Sequence, residues 1–313
     1  GERPHHAFAV RPEASGCSRM SITQLVDFWL RRRWRPDPHA LSQWAKLQPA
    51  VVVTGGSEGI GFEIARRFAK RGRALVLVAR RPGPLEAAAA AIRREFGTTV
   101  LTVPLDVTRP DAPQTLEERL QENGFYADVL VNNAGIGLSG DYINHEPEQL
   151  SQLIELNVRA LSALMRRFLP AMCVRGRGGV LNVASLGGYA PGPYQAAYYA
   201  SKSYVIALTE AVAWETRGLG VRVAVFAPGP VSTRFHARMG AENALYRWLI
   251  PAPSPALAAG SAVRWFEWGR TVITPGVMGP ILAIVMRLTP HPILLPIVGW
   301  LLKPRETLKN AGR

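Results

Sequence analysis

The chain has 313 residues, of which 48% are apolar and 19% charged, enough to build a sizeable core and too apolar for intrinsic disorder. Its two cysteines, Cys17 and Cys173, exclude a disulfide framework and a cysteine-based zinc cluster, and suit a reducing, cytoplasmic compartment. The formal charge is +14, with 32 arginines among 37 basic residues, and it points to nucleic acid, an anionic membrane surface, an anionic ligand or a general arginine bias.

The charge is unevenly placed: residues 1–48 carry +4 and residues 271–313 another +4. Residues 1–20 show no period and read as a disordered leader, with Met20 a candidate natural start and no secretory signal pattern. Residues 21–48 read as an amphipathic helix and linker. There Ile22, Leu25, Val26, Trp29 and Leu30 recur at helical spacing before Arg31, Arg32, Arg33 and Arg35. Packing on the body or a partner subunit and lying on a membrane surface are both open readings of this helix.

From residue 49 to 275 short β-branched runs alternate with longer amphipathic stretches. The runs are Val51–Val53, Leu75–Val78, Val100–Val103, Val129–Val131, Val180–Val183 and Val221–Phe226. Runs of this kind suit strands buried on both faces. Their alternation with helices predicts a doubly wound parallel sheet with right-handed crossovers.

The first run leads into Thr54, Gly55, Gly56, Ser57, Glu58, Gly59, Ile60 and Gly61, then a helix. Glycines here let the backbone approach a pyrophosphate, and the helix N-terminus supplies free N–H groups. The second run ends at Arg80 and Arg81, where an acid would bind ribose hydroxyls. Arginine there suits the 2′-phosphate of NADP. Asp106, beside Val107 past the third run, is placed to accept from an adenine amino group or to make a turn. Asn133, Ala134 and Gly135 follow the fourth run with small residues that admit a ligand.

The fifth run ends at Ser185, and Tyr198 and Lys202 follow on one face of a helix. A nearby ammonium lowers the pKa of a tyrosine, and an acid tuned this way protonates a ketone oxygen or deprotonates an alcohol in reverse. Ser185 would orient the same oxygen.

These motifs, in this order, resemble the short-chain dehydrogenase/reductase family of the Tyr-x-x-x-Lys type. The resemblance covers the glycine motif, Asp106, Asn132–Gly135, Asn157, Ser185, Tyr198 with Lys202, and Pro228 to Thr233. It implies a Rossmann-type α/β fold with a mostly parallel seven-stranded sheet in three layers and a dimer or tetramer. It also implies hydride exchange between a nicotinamide and a carbonyl or secondary alcohol, without a metal. Tyr198 would be the acid/base, Ser185 the polarising donor and Asn157 the anchor of a water relay. Lys202 would tune Tyr198 and bind the nicotinamide ribose. Pro228, Gly229, Val231 and Thr233 would hold the nicotinamide end. Arg80 marks NADP(H) preference over NAD(H). Glu58 departs from the pattern, since NADP-preferring relatives often carry a small or basic residue there.

Residues 231–252 are the expected substrate loop, whose Phe235, Met239, Leu245, Tyr246 and Trp248 suit a bulky lipophilic substrate of acyl, steroid or long-chain type. Residues 276–313 read as two short apolar helices with a basic end, because prolines 280, 290, 292 and 296 break any simple membrane span. Such helices could cap the cleft, join subunits or dip into one leaflet. A dinucleotide-binding regulator without turnover is the competing reading of the fold. Nucleic-acid binding is not expected, for lack of an aromatic-basic groove motif.

Overall fold

The computed structural model describes residues 30–242, 244–249 and 252–303. The expected leader, most of the first helix, the basic end beyond Lys303 and three residues of the substrate loop lie outside them. A short helix α1 (Pro38–Ser42) precedes β1 (Gln48–Thr54), α2 (Gly59–Ala69), β2 (Ala74–Ala79), α3 (Pro82–Phe96) and β3 (Val100–Pro104). The chain then crosses to α4 (Ala112–Glu122), β4 (Phe125–Asn132) and α5 (Pro147–Ile154). A π-helical turn (Glu155–Ala160) joins α5 to α6 (Leu161–Arg175). After β5 (Gly179–Val183) come α7 (Ala196–Glu215), β6 (Arg222–Phe226), and the short helices α8 (Phe235–Arg238) and α9 (Tyr246–Leu249). The chain continues through α10 (Pro255–Glu267), β7 (Val272–Ile273), α11 (Met278–Leu288) and α12 (His291–Leu302).

The strands form one seven-stranded sheet in the order β3-β2-β1-β4-β5-β6-β7, with every neighbouring pair parallel. Alternation along β1 shows why the sheet needs helices on both faces. Val51 and Val53 pack with Ile64, Phe68, Leu85 and Phe266 from α2, α3 and α10. Ala50 and Val52 pack on the opposite side with Leu116, Leu164, Phe168 and Met172 from α4 and α6. β7 has two residues and pairs with the end of β6, which is why no apolar run announces it.

The order reverses between β1 and β4, so their adjacent C-terminal ends leave a crevice between diverging crossovers. The tail lies against this end of the sheet. Ala283 of α11 packs with Leu186 and Tyr189, in the 3₁₀ turn after β5. Leu294, Val298 and Leu302 of α12 pack with Ala190, Ala244 and Tyr246. The N-terminal segment sits elsewhere. Trp34 Nε1 donates to the Val174 carbonyl at 3.0 Å and Arg33 N to the Gly218 carbonyl at 2.7 Å, fixing the described end of the basic segment to the ends of α6 and α7.

Candidate active site

A cleft of about 1940 Å³ runs across the C-terminal ends of the strands. Its floor is the turn from β1 into α2. Gly55 and Gly59 have φ of +64° and +61°, a region that penalises any Cβ. A Cβ on Gly61 would lie 2.3 Å from Asn133 Nδ2 and 2.5 Å from the Gly55 carbonyl. The close approach it permits is an amide staple. Asn133 Nδ2 donates to the Thr54 and Gly55 carbonyls at 3.0 and 3.1 Å. Buried Thr54 Oγ1 accepts in return from the backbone of Asn133 and Ala134, at 3.0 and 3.1 Å. Ser57, Glu58 and Ile60 line the cleft beside this turn, whose N–H groups begin α2.

Arg80 and Arg81 line the cleft at the end of β2. Arg80 Nη1 stands 4.0 Å from Asp106 and Arg81 Nη2 stands 3.7 Å from Glu58, beyond hydrogen-bond length. Asp106 closes a turn, accepting from the Thr108 backbone at 3.0 Å and its hydroxyl at 2.7 Å. Burial works to raise its pKa, but those bonds and the charges of Arg80 and Arg109 hold it below the usual range. Val107 and Gly135 also line the cleft, as do Pro228, Gly229, Val231 and Thr233 from the segment after β6.

The catalytic candidates converge on one wall. Ser185 ends the extended chain after β5 and its Oγ accepts from the Gly187 backbone at 3.2 Å. Its hydroxyl also bears on Tyr198, in the first turn of α7, where it favours the phenolate. Tyr198 is buried between the Phe235 ring at 5.6 Å and the Tyr199 ring at 6.2 Å. One turn on, Lys202 donates to the Val183 carbonyl at 2.9 Å, with its ammonium 5.7 Å from the Tyr198 ring centre.

Burial dominates both titrations. It pushes the Tyr198 phenol well above its ordinary value, against the lowering influence of Ser185, and it brings Lys202 down to about 8. The direction for Tyr198 differs from that expected of a tyrosine beside an ammonium. Lys202 gives its hydrogen bond to Val183, and burial is the largest influence on the phenol.

Asn157 lies in the π-helical turn, a local irregularity that often marks functional positions. Its amide accepts from Ile136 N at 2.9 Å and donates to the Ile136 carbonyl at 2.8 Å and to Ser201 Oγ at 3.1 Å. It thereby pins the strand-end loop against α7. A Cβ on Gly135 would sit 3.1 Å from Asn157 Oδ1 and 3.5 Å from Lys202 Nζ, so a small residue is needed there.

Three features escape motif reading. Glu58 receives both terminal nitrogens of Arg238, from α8. His236 Nδ1 meets Tyr246 Oη at 2.9 Å within the segment after β6. Gln195 is buried on the cleft wall with its Nε2 lacking a partner among the described residues. None of the three follows a sequence spacing. The inner walls are apolar, with Leu186, Phe235, Met239, Leu282 and Met286, and the tail helices therefore cap the cleft.

A family model described as short chain dehydrogenase matches residues 49–244. Among curated proteins, the chain is similar to the ketoacyl reductase HetN of Nostoc sp., 35% identical over 58% of this chain and 63% of that protein. It therefore spans somewhat under two thirds of that relative. It is also similar to human 17-beta-hydroxysteroid dehydrogenase type 3, 31% identical over 69% of this chain and 68% of that one. Among solved structures, a short-chain dehydrogenase from Sphingobium yanoikuyae in complex with NADPH shares 33% identity at a TM-score of 0.69, covering 75% of this chain and 91% of that one.

Proposed function

The chain belongs to the short-chain dehydrogenase family of oxidoreductases, and on that premise we propose that it is an NADP(H)-dependent reductase of lipophilic ketones, or the corresponding alcohol dehydrogenase. One observation carries the proposal: Ser185, Tyr198 and Lys202 meet on a buried wall of a cleft whose floor is the glycine turn.

The residues present fit a nicotinamide dinucleotide. The left-handed glycines and the Asn133 staple leave the start of α2 facing the cleft for a pyrophosphate. Arg80 and Arg81 would meet a 2′-phosphate, and Val231 and Thr233 the nicotinamide end. When bound, the nicotinamide gives or takes the hydride. The protein manages the proton. In reduction the Tyr198 hydroxyl donates its proton to the carbonyl oxygen, while Ser185 donates a hydrogen bond to that oxygen. The phenolate left behind is stabilised by the Lys202 ammonium, which a pKa of about 8 keeps mostly protonated at neutral pH. Asn157 is a positioning residue that fixes Ile136 and Ser201 beside these groups.

The preference for lipophilic substrates is supported by the apolar inner walls and by the names of the relatives, a ketoacyl reductase and a hydroxysteroid dehydrogenase. The test is NADPH oxidation with a panel of ketones. Tyr198→Phe should lower turnover by about 10²–10⁴-fold while NADPH still binds. Unchanged turnover in this variant refutes the mechanism, and no turnover in the wild type on any ketone or alcohol favours a cofactor-binding regulator.

A further inference from the structure

Helices α11 and α12 each present two apolar faces. The inner faces carry Leu282 and Met286 on one helix and Val298 and Leu301 on the other, all lining the cleft. The outer faces carry Ile281, Ile284 and Leu288 on α11, and Ile293, Ile297 and Trp300 on α12, at helical spacing. All six are exposed, from 46% for Ile281 to 77% for Leu288. A helix lying on a body in water is ordinarily polar on its outer face. Here the one charged residue between Arg270 and Lys303 is Arg287. It is turned aside, donating to Glu210 at 2.8 Å and stacking over the Tyr189 ring at 4.7 Å.

Charge identifies the occupant of this ridge. No aspartate or glutamate occurs from Trp268 to Arg305, while Arg270 precedes the helices and Lys303 and Arg305 follow them. A second copy of the chain would bring the same cationic border and the same charge of +14. An anionic lipid surface brings the opposite charge to the border and hydrocarbon to the ridge. Among the described residues no helix is long and apolar enough to cross a membrane. With 11 and 12 residues, α11 and α12 rise about 17–18 Å against a hydrocarbon core of about 30 Å, so they fit the plane of one leaflet.

We propose that the outer faces of α11 and α12 seat the enzyme on an anionic phospholipid surface. The same two helices wall the cleft, so docking lays the cleft wall against the lipid. A lipophilic ketone would then enter from the acyl region without crossing water. That last step rests on the substrate reading above, and the docking does not.

The test is flotation of the full chain with vesicles of phosphatidylcholine alone and of phosphatidylcholine mixed with phosphatidylglycerol. The protein should float with the anionic vesicles, and less so as salt rises. Leu288→Glu combined with Trp300→Glu should lower partition by about tenfold or more. The rate of that double variant on a water-soluble ketone should stay at the wild-type level, which also shows that it folds. No flotation of the wild type, or equal flotation of the double variant, overturns the docking while leaving the reductase reading intact. Equal flotation on neutral vesicles overturns the requirement for anionic headgroups. Loss of a dimer in the double variant, without vesicle binding by the wild type, shows instead that the ridge joins copies of the chain.

Discussion

Glu58, in the glycine turn, and Arg238, in the segment after β6 and 180 residues further on, form a two-pronged ion pair across the cleft. The pair accounts for the departure from pattern noted at position 58. A carboxylate there would oppose a 2′-phosphate if it stood alone, but Arg238 neutralises it and Arg81 approaches to 3.7 Å. The Arg238 bond, working against burial and aided by the charges of Arg81 and Arg234, holds Glu58 below the ordinary carboxylate range. The contact is therefore present at neutral pH and is lost only as pH falls through that depressed value.

Glu58→Gln should release Arg81 and Arg238 toward the phosphate. NADPH binding, followed by fluorescence titration, should tighten by about threefold to tenfold, in line with a partly exposed ion pair, while NADH is unaffected. Weaker NADPH binding in this variant would show that the pair serves to close the loop.

Arg80→Ala should act in the opposite direction. Among the described residues its nearest carboxylate is Asp106, 4.0 Å away, so its donors are available to an anion. A charge-assisted contact of about 1.5–3 kcal/mol predicts roughly tenfold to hundredfold weaker NADPH binding with NADH unchanged. Equal losses for both cofactors would remove the argument for a 2′-phosphate contact.

The pH profile should report Lys202. Its buried ammonium titrates at about 8, depressed from 10.5, so charge is present below pH 8 and absent above it. Carbonyl reduction should fall as pH rises through that value, because the Tyr198 phenolate loses its stabilising charge. In Lys202→Met this break in kcat/KM should vanish along with most of the rate.

Gln195→Leu separates fit from chemistry. The buried Nε2 has no partner among the described residues, so leucine should leave the Tm unchanged or raise it by about 2–4 °C. If Nε2 donates to a second oxygen on the substrate, KM for ketones carrying such an oxygen should rise about fivefold or more. KM for plain alkyl ketones and kcat for both should hold.

Local chemistry was the legible part of the sequence. The glycine turn, Arg80 at the end of β2, and Tyr198 with Lys202 one turn apart depend on neighbours a few residues away, and the motifs show them. The strand runs were legible because burial on both faces demands continuous apolar residues, except at β7, whose two residues are too short to make a pattern. The contacts of Glu58 with Arg238 and of His236 with Tyr246 depend on how the segment after β6 folds back, which has no period. Asn157 follows from the resemblance, but no motif in the sequence marks the π-helical turn that carries it. The tail sequence leaves cap, interface and lipid contact open because its helices are apolar on two sides; only the structure shows that one side lines the cleft.

The reciprocal bonds between Thr54 and Asn133 join the ends of β1 and β4 where the strand order reverses. Both residues are held by the protein's own groups, so the shape of this floor is settled when the sheet folds. Ordering that segment costs entropy once, at folding, and not again at each encounter with a dinucleotide.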